Sequence, residues 1–158
     1  MTPAQRKATI AAAAVALAAP LEGTRFVAYY DPPGILTVCM GHTGADIDKS
    51  KRYTMAECTS LMDEDMLKAV DIVEKCQPGL PVGVAVAFSS AVYNMGPTIA
   101  CNTTNSTAAR MLKAKDYAGA CNQLPRWDKA KVAGVMINLR GLTKRRALER
   151  DTCLQGLA

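Results

Sequence analysis

Two periods of apolar and polar residues organise the first third of the chain. After Arg6 and Lys7, the twelve residues Ala8 to Ala19 carry no charge and are mostly Ala, with Ile10, Val15 and Leu17 among them. That run predicts an apolar helix. The pattern then changes to alternation, with Phe26, Ala28 and Tyr30 on one side and Val27 and Tyr29 on the other. A period of two predicts a strand. Pro32-Pro33-Gly34 is turn chemistry, Ile35 to Met40 is the returning strand, and residues 45–53 are a polar loop.

Helical spacing resumes at residue 54. Thr54-Met55-Ala56-Glu57 has the hydroxyl and the acid of a capping box. The helix it opens runs to about Lys75, with Leu61, Met62, Met66, Val70 and Val73 on one side. Gly79-Leu80-Pro81 breaks the pattern. Val82 to Tyr93 is apolar nearly all round, which predicts a buried central helix. Short helices follow near 106–114, 116–124 and 143–153, separated by Gly and Pro signals. Asn102-Thr103-Thr104 and Asn105-Ser106-Thr107 match the glycosylation sequon and read as a turn and a helix cap.

Composition narrows the class. At 158 residues the chain is one domain, long enough to bury a core. The six cysteines at 39, 58, 76, 101, 121 and 153 have no metal-knuckle or CxxC spacing, and His42 is the single histidine. No metal site and no cofactor are expected. An even count of well-spread cysteines reads as disulfides, hence an oxidising compartment; six allow 15 pairings. The net charge of +5 is uneven: residues 101–158 carry 11 Lys+Arg against 4 Asp+Glu, residues 1–100 carry 8 against 10. A basic half suits an anionic partner. Nucleic acid is not expected, because no reading motif accompanies the charge and there is one Trp.

Three residues carry candidate chemistry: Glu22 at the end of the apolar helix, Asp31 in the turn and Thr37 on the returning strand. Hydrolysis of a glycosidic bond needs one protonated carboxyl to give a proton to the leaving oxygen, and one ionised carboxylate to stabilise charge or orient water. A hydroxyl can hold that water. Glu22 must keep its proton near neutral pH, which the partly apolar surroundings of Leu21 and the preceding helix favour.

The stretches Glu22-Gly23, Tyr30-Asp31, Leu36-Thr37-Val38 and Gly41-His42-Thr43 resemble the bacteriophage-type lysozymes, or phage endolysins. The resemblance runs on through Tyr53 to Cys58, Ala91 to Gly96, Pro125-Arg126-Trp127 and Gly141 to Arg146, covering about residues 15 to 156 in order. It implies a mainly helical α+β, lysozyme-like fold: a β-rich lobe over about 22–55, and a larger helical part from 1–21 and 56–158, in one domain. It implies a muramidase that cuts the β-1,4 bond between N-acetylmuramic acid and N-acetylglucosamine of peptidoglycan during host lysis, usually with inversion. Glu22, Asp31 and Thr37 would be its catalytic residues. Tyr93, Asn94 and Met95 would end the central helix at the substrate cleft. The resemblance further implies an ion pair between Glu22 and either Arg145 or Arg146, and a structural ion pair between His42 and Asp65. With helix order, it favours Cys39–Cys58, Cys76–Cys101 and Cys121–Cys153. Trp127 is expected to pack in the C-terminal part near the cleft. A lytic transglycosylase and a non-catalytic wall-binding module are the alternatives.

The Ala-rich start admits three readings: a cleaved signal peptide, a membrane span, or a core helix of the fold. The first would leave Glu22 almost at a new terminus. The second is short, about 20 Å of helix against a hydrocarbon core of about 30 Å. The third is favoured. Some relatives, the signal-anchor-release endolysins, combine readings, using such a helix first for export and then in the fold; transient membrane association is therefore a further expectation. The protein is expected to be a monomer, made in the host cytoplasm and active in the periplasm.

Overall fold

The computed structural model describes residues 1–158. Helix α1 (Pro3–Ala18) opens on a capping box: Thr2 accepts from the Gln5 N–H, and Gln5 accepts from that of Thr2. Its inward side is Ile10, Ala11, Ala14 and Ala18. The small residues let α1 lie close against the central helix. The core helix, among the readings of this segment, is thus the one the structure shows, and no helix of the chain is long and apolar enough to cross a membrane.

Pro20 has no N–H with which to continue the helical ladder. The chain tightens into a single 3-10 turn, Ala19–Leu21, and leaves it extended at Glu22. Strands β1 (Arg25–Tyr30), β2 (Leu36–Cys39) and β3 (His42–Thr43) form an antiparallel sheet in that order. Tyr29 pairs with Thr37 and Thr37 with Thr43, with a bulge between Arg25 and Tyr29.

Helix α2 (Met55–Cys76) starts at the Thr54–Glu57 capping box and turns Cys58, Met62, Met66, Ala69, Val70 and Val73 inward. Helix α3 (Val82–Met95) is the core's centre, with every residue from Val84 to Val92 buried. Around it lie the single turn α4 (Thr98–Cys101), α5 (Thr107–Lys113), α6 (Tyr117–Gln123), a 3-10 turn at Leu124–Arg126 and α7 (Arg140–Gln155). The two sequons lie where a turn and a cap were expected: Asn102 Oδ1 accepts from the Thr104 and Asn105 N–H groups, and Ser106 caps α5 through the Ala109 N–H.

Several elements depart from expectation, among them the short β3 and the single turn α4. Residues 129–138 form a hairpin, β4 (Lys129–Val132) and β5 (Val135–Asn138), turning at Ala133-Gly134, both with positive φ. The last helix starts at Arg140 rather than near 143. Three disulfides join Cys39 to Cys58, Cys76 to Cys101 and Cys121 to Cys153. They tie β2 to α2, α2 to α4 and α6 to α7. Helix α3 meets the residue that caps α7 through two glycines, Gly83 and Gly156. A Cβ on Gly83 would fall 2.6 Å from the Gly156 Cα, and one on Gly156 would meet Gly83 as closely.

Candidate active site

Glu22 stands where α1 ends and the sheet begins, with a side chain 17 % exposed. Its Oε1 accepts from Arg145 Nη1 of α7. Its Oε2 lies against Gly41, where a Cβ would touch it at 3.5 Å. Gly41 holds φ +85° in the Met40–Gly41 turn between β2 and β3, a conformation glycine adopts without cost. The carboxyl group is therefore enclosed between the last helix and a tight turn of the sheet.

Asp31 and Thr37 share one anchor on the hairpin. The Ile35 N–H donates to Asp31 Oδ1 at 2.7 Å, and the Ile35 carbonyl accepts from the Asp31 N–H at 2.9 Å. The same carbonyl accepts from Thr37 Oγ1 at 2.9 Å. Thr37 is almost wholly buried and commits its hydroxyl hydrogen to this bond, so its oxygen remains an acceptor. The two carboxylates bear on a common neighbour. Burial raises the Tyr29 phenol above its ordinary pKa; Arg25, stacked 4.3 Å above the ring, opposes this, and the charges of Asp31 and Glu22 add to it.

The end of α3 reaches the same place. Tyr93 donates to the Met40 carbonyl at 2.5 Å. Burial, and then the charge of Glu22, hold its phenol far above the ordinary range. Its hydroxyl thus secures the turn that encloses Glu22. Met95 Sδ accepts from Arg146 Nη1 at 3.3 Å, while the buried Asn94 Oδ1 has no partner. A groove of about 160 Å³ runs beside these residues, lined by Gly41, Thr43, Asp65, Val92, Tyr93 and Gly96 among others. Trp127 packs against the edge of the core.

Between the two arginines, the structure distinguishes clearly. Arg145 bonds Glu22; Arg146, fully buried, turns to Glu149 and Met95. His42 Nδ1 lies 2.6 Å from Asp65 Oδ2, and its Nε2 lies 3.0 Å from Asp46 Oδ1.

Three participants were not expected from the sequence: Glu149, Ser90 and Asp46. Glu149 had a signal, since it follows Arg145 by four residues and Arg146 by three. That spacing ordinarily marks a solvated ion pair on a helix, and here the face is interior. The site as a whole offers a semi-enclosed carboxyl, a second carboxylate on a hairpin, and a buried hydroxyl that donates to the hairpin backbone.

The chain as a whole is similar to known proteins. Residues 19–149 match the family model described as phage lysozyme. A SAR-endolysin of bacteriophage PS119 is 40 % identical over 170 aligned positions, covering 99 % of this chain and 98 % of the relative. Among solved structures, the active form of the P1 phage endolysin Lyz superposes with a TM-score of 0.76 at 26 % identity, over 92 % of this chain and 85 % of that one. The secreted inactive form of the same endolysin gives a TM-score of 0.54 at 25 % identity, over 73 % and 78 %.

Proposed function

The chain belongs to the phage lysozyme family, and from that membership we propose that it cuts the β-1,4 bond between N-acetylmuramic acid and N-acetylglucosamine. Hydrolysis of peptidoglycan is the activity consistent with the family; the bond and the residues are our reading. Glu22 is the general acid. With Oε1 bonded to Arg145, Oε2 is the oxygen that carries the proton and gives it to the leaving sugar. Asp31 takes one proton from water as its oxygen attacks, and Thr37, its own hydrogen committed to Ile35, accepts a hydrogen bond from the O–H that remains. Direct attack by that water inverts the anomeric centre.

The observation that carries this reading is the enclosure of Glu22 between Arg145 and the Gly41 turn, beside the hairpin that bears Asp31 and Thr37. The greater likeness to the active than to the secreted inactive form of the P1 endolysin supports a working arrangement. Three disulfides suit the host periplasm as the place of action.

Product analysis on purified peptidoglycan tests the proposal. The wild type should release reducing ends, with the anomer of the first product inverted. Glu22→Gln should lower the rate by about 10²–10⁴-fold, the usual worth of a general acid. Full activity in that variant would sink the assignment. A 1,6-anhydro product, visible by mass, would identify a lytic transglycosylase instead.

A further inference from the structure

The bond from Arg145 to Glu22 poses a problem. A guanidinium beside a carboxyl favours its ionised form, whereas a proton donor must keep its proton. A second guanidinium, Arg146, follows on the same helix. Both are buried in the interior, where charge is poorly screened.

Glu149, fully buried one turn further along α7, answers both. Its Oε1 accepts from Arg146 Nη2 at 2.9 Å, from Arg145 Nε at 3.3 Å and from Ser90 Oγ of α3 at 2.7 Å. Its Oε2 lies 2.6 Å from Arg146 Nε, a charge contact off the N–H direction. Arg145 also reaches the Ser90 carbonyl at 3.5 Å. One carboxylate thus cancels one guanidinium, and holds the other by its Nε so that Nη1 points at Glu22.

We propose that Glu149 is a positioning residue for the reaction: it aims Arg145 at Glu22 and offsets the charge of Arg146, so that the carboxyl of the proton donor does not face two unbalanced guanidiniums. The proposal rests on Glu22 being the general acid. The titratable and charged groups around the pair are Arg145, Arg146 and Glu149 of α7, Tyr93 of α3, Tyr29 of β1 and, more distantly, Asp65 of α2. The α6 face against α7 contributes the Cys121–Cys153 disulfide, which does not titrate.

The test is the pH–rate profile of reducing-end release from peptidoglycan for the wild type, Glu149→Gln, Arg146→Gln and the double variant. Glu149→Gln leaves an excess positive charge near Glu22. Its alkaline limb should move down by about one pH unit, with a rate near neutrality reduced roughly tenfold and KM little changed. Arg146→Gln removes positive charge, and its limb should move up. The double variant restores the balance, and its limb should return close to that of the wild type. A merely structural role would lower the folded fraction without these opposed, cancelling shifts. Should Glu149→Gln fail to fold, Arg146→Gln against the double variant still decides the matter. Limbs that coincide across the folded proteins overturn the proposal. A wild type that releases no reducing ends refutes the functional reading alone; ¹³C titration of the Glu22 carboxyl in the same set then reads the charge coupling without catalysis.

Discussion

His42 shows how neighbours decide the behaviour of a single residue. It is 6 % exposed, and burial, the largest effect on it, lowers its pKa. The hydrogen bonds and charges of Asp65 and Asp46 act the other way and prevail, so the net shift is upward. Asp46 is held below its ordinary range by the same contact. The imidazolium therefore binds its proton more tightly in the folded state than in the unfolded one. Its contribution to stability is full below about pH 6.5, the unfolded value, and is lost as pH rises through the raised folded value. The contribution of Asp46 is present above about pH 4, and is lost as pH falls through its own lowered value. His42→Gln should accordingly lower Tm most between about pH 4.5 and 6.5 and least near pH 9. Equal losses across that range, in thermal melts, would leave His42 a packing residue only. The Asp65 partnership could be expected from the resemblance. Asp46 could not, because a loop acid gives no sign of which way it folds back.

At the scale of elements, the docking of α1 separates two adjacent basic residues of equal charge. Arg6 donates to both oxygens of Glu74, at 2.9 and 3.0 Å, and to the Leu80 carbonyl at 2.6 Å, all half-buried. Lys7 makes one exposed contact with Asp71 at 2.7 Å. Arg6→Ala should cost about 1–3 kcal/mol, because it leaves Glu74 and a carbonyl without partners; Lys7→Ala should cost about 0–1 kcal/mol. Urea denaturation of the two variants checks the ranking. The same scale shows what sequence pattern could convey. Helices α1 to α3 and the first hairpin were legible because their apolar runs or periods are clear and their ends are marked by Pro32-Pro33-Gly34, the Thr54–Glu57 box and Pro81, although α1 ends at Ala18, before Glu22. The second hairpin was not. Lys129-Ala130-Lys131-Val132 alternates for only four residues, and Val135-Met136-Ile137-Asn138 is exposed throughout, so no buried face imposes a period. The one-turn α4 is too short to show one.

Across the whole molecule, covalent and ionic restraints divide the work. The disulfides close loops with sequence separations of 19, 25 and 32, and leave α1 and α3 without a covalent tie, held by packing, hydrogen bonds and ion pairs. Each contributes about 3–4 kcal/mol in the chain-entropy model. Reduction should therefore lower Tm by about 10 °C or more, while none of the proposed catalytic residues is a cysteine; an equally stable reduced protein would show the bridges to be dispensable. The charge distribution also reads differently in three dimensions. Of the basic residues beyond position 100, Arg145 and Arg146 are buried with Glu149, so part of the excess there serves the interior rather than an anionic polymer. Composition alone could not make that division.

The bond between Glu22 and Arg145 spans 123 positions of the chain. A ribosome delivers the acid early and its partner late, since domains emerge and fold from the N-terminal side. Throughout synthesis the Glu22 carboxyl waits without the helix that orients it, and the turn at Gly41 closes one side of an incomplete enclosure. Nascent chains and products of premature termination before α7 therefore lack Arg145, the partner that meets Glu22 in the finished fold. The order of translation itself keeps an unfinished molecule from possessing the proposed lytic site.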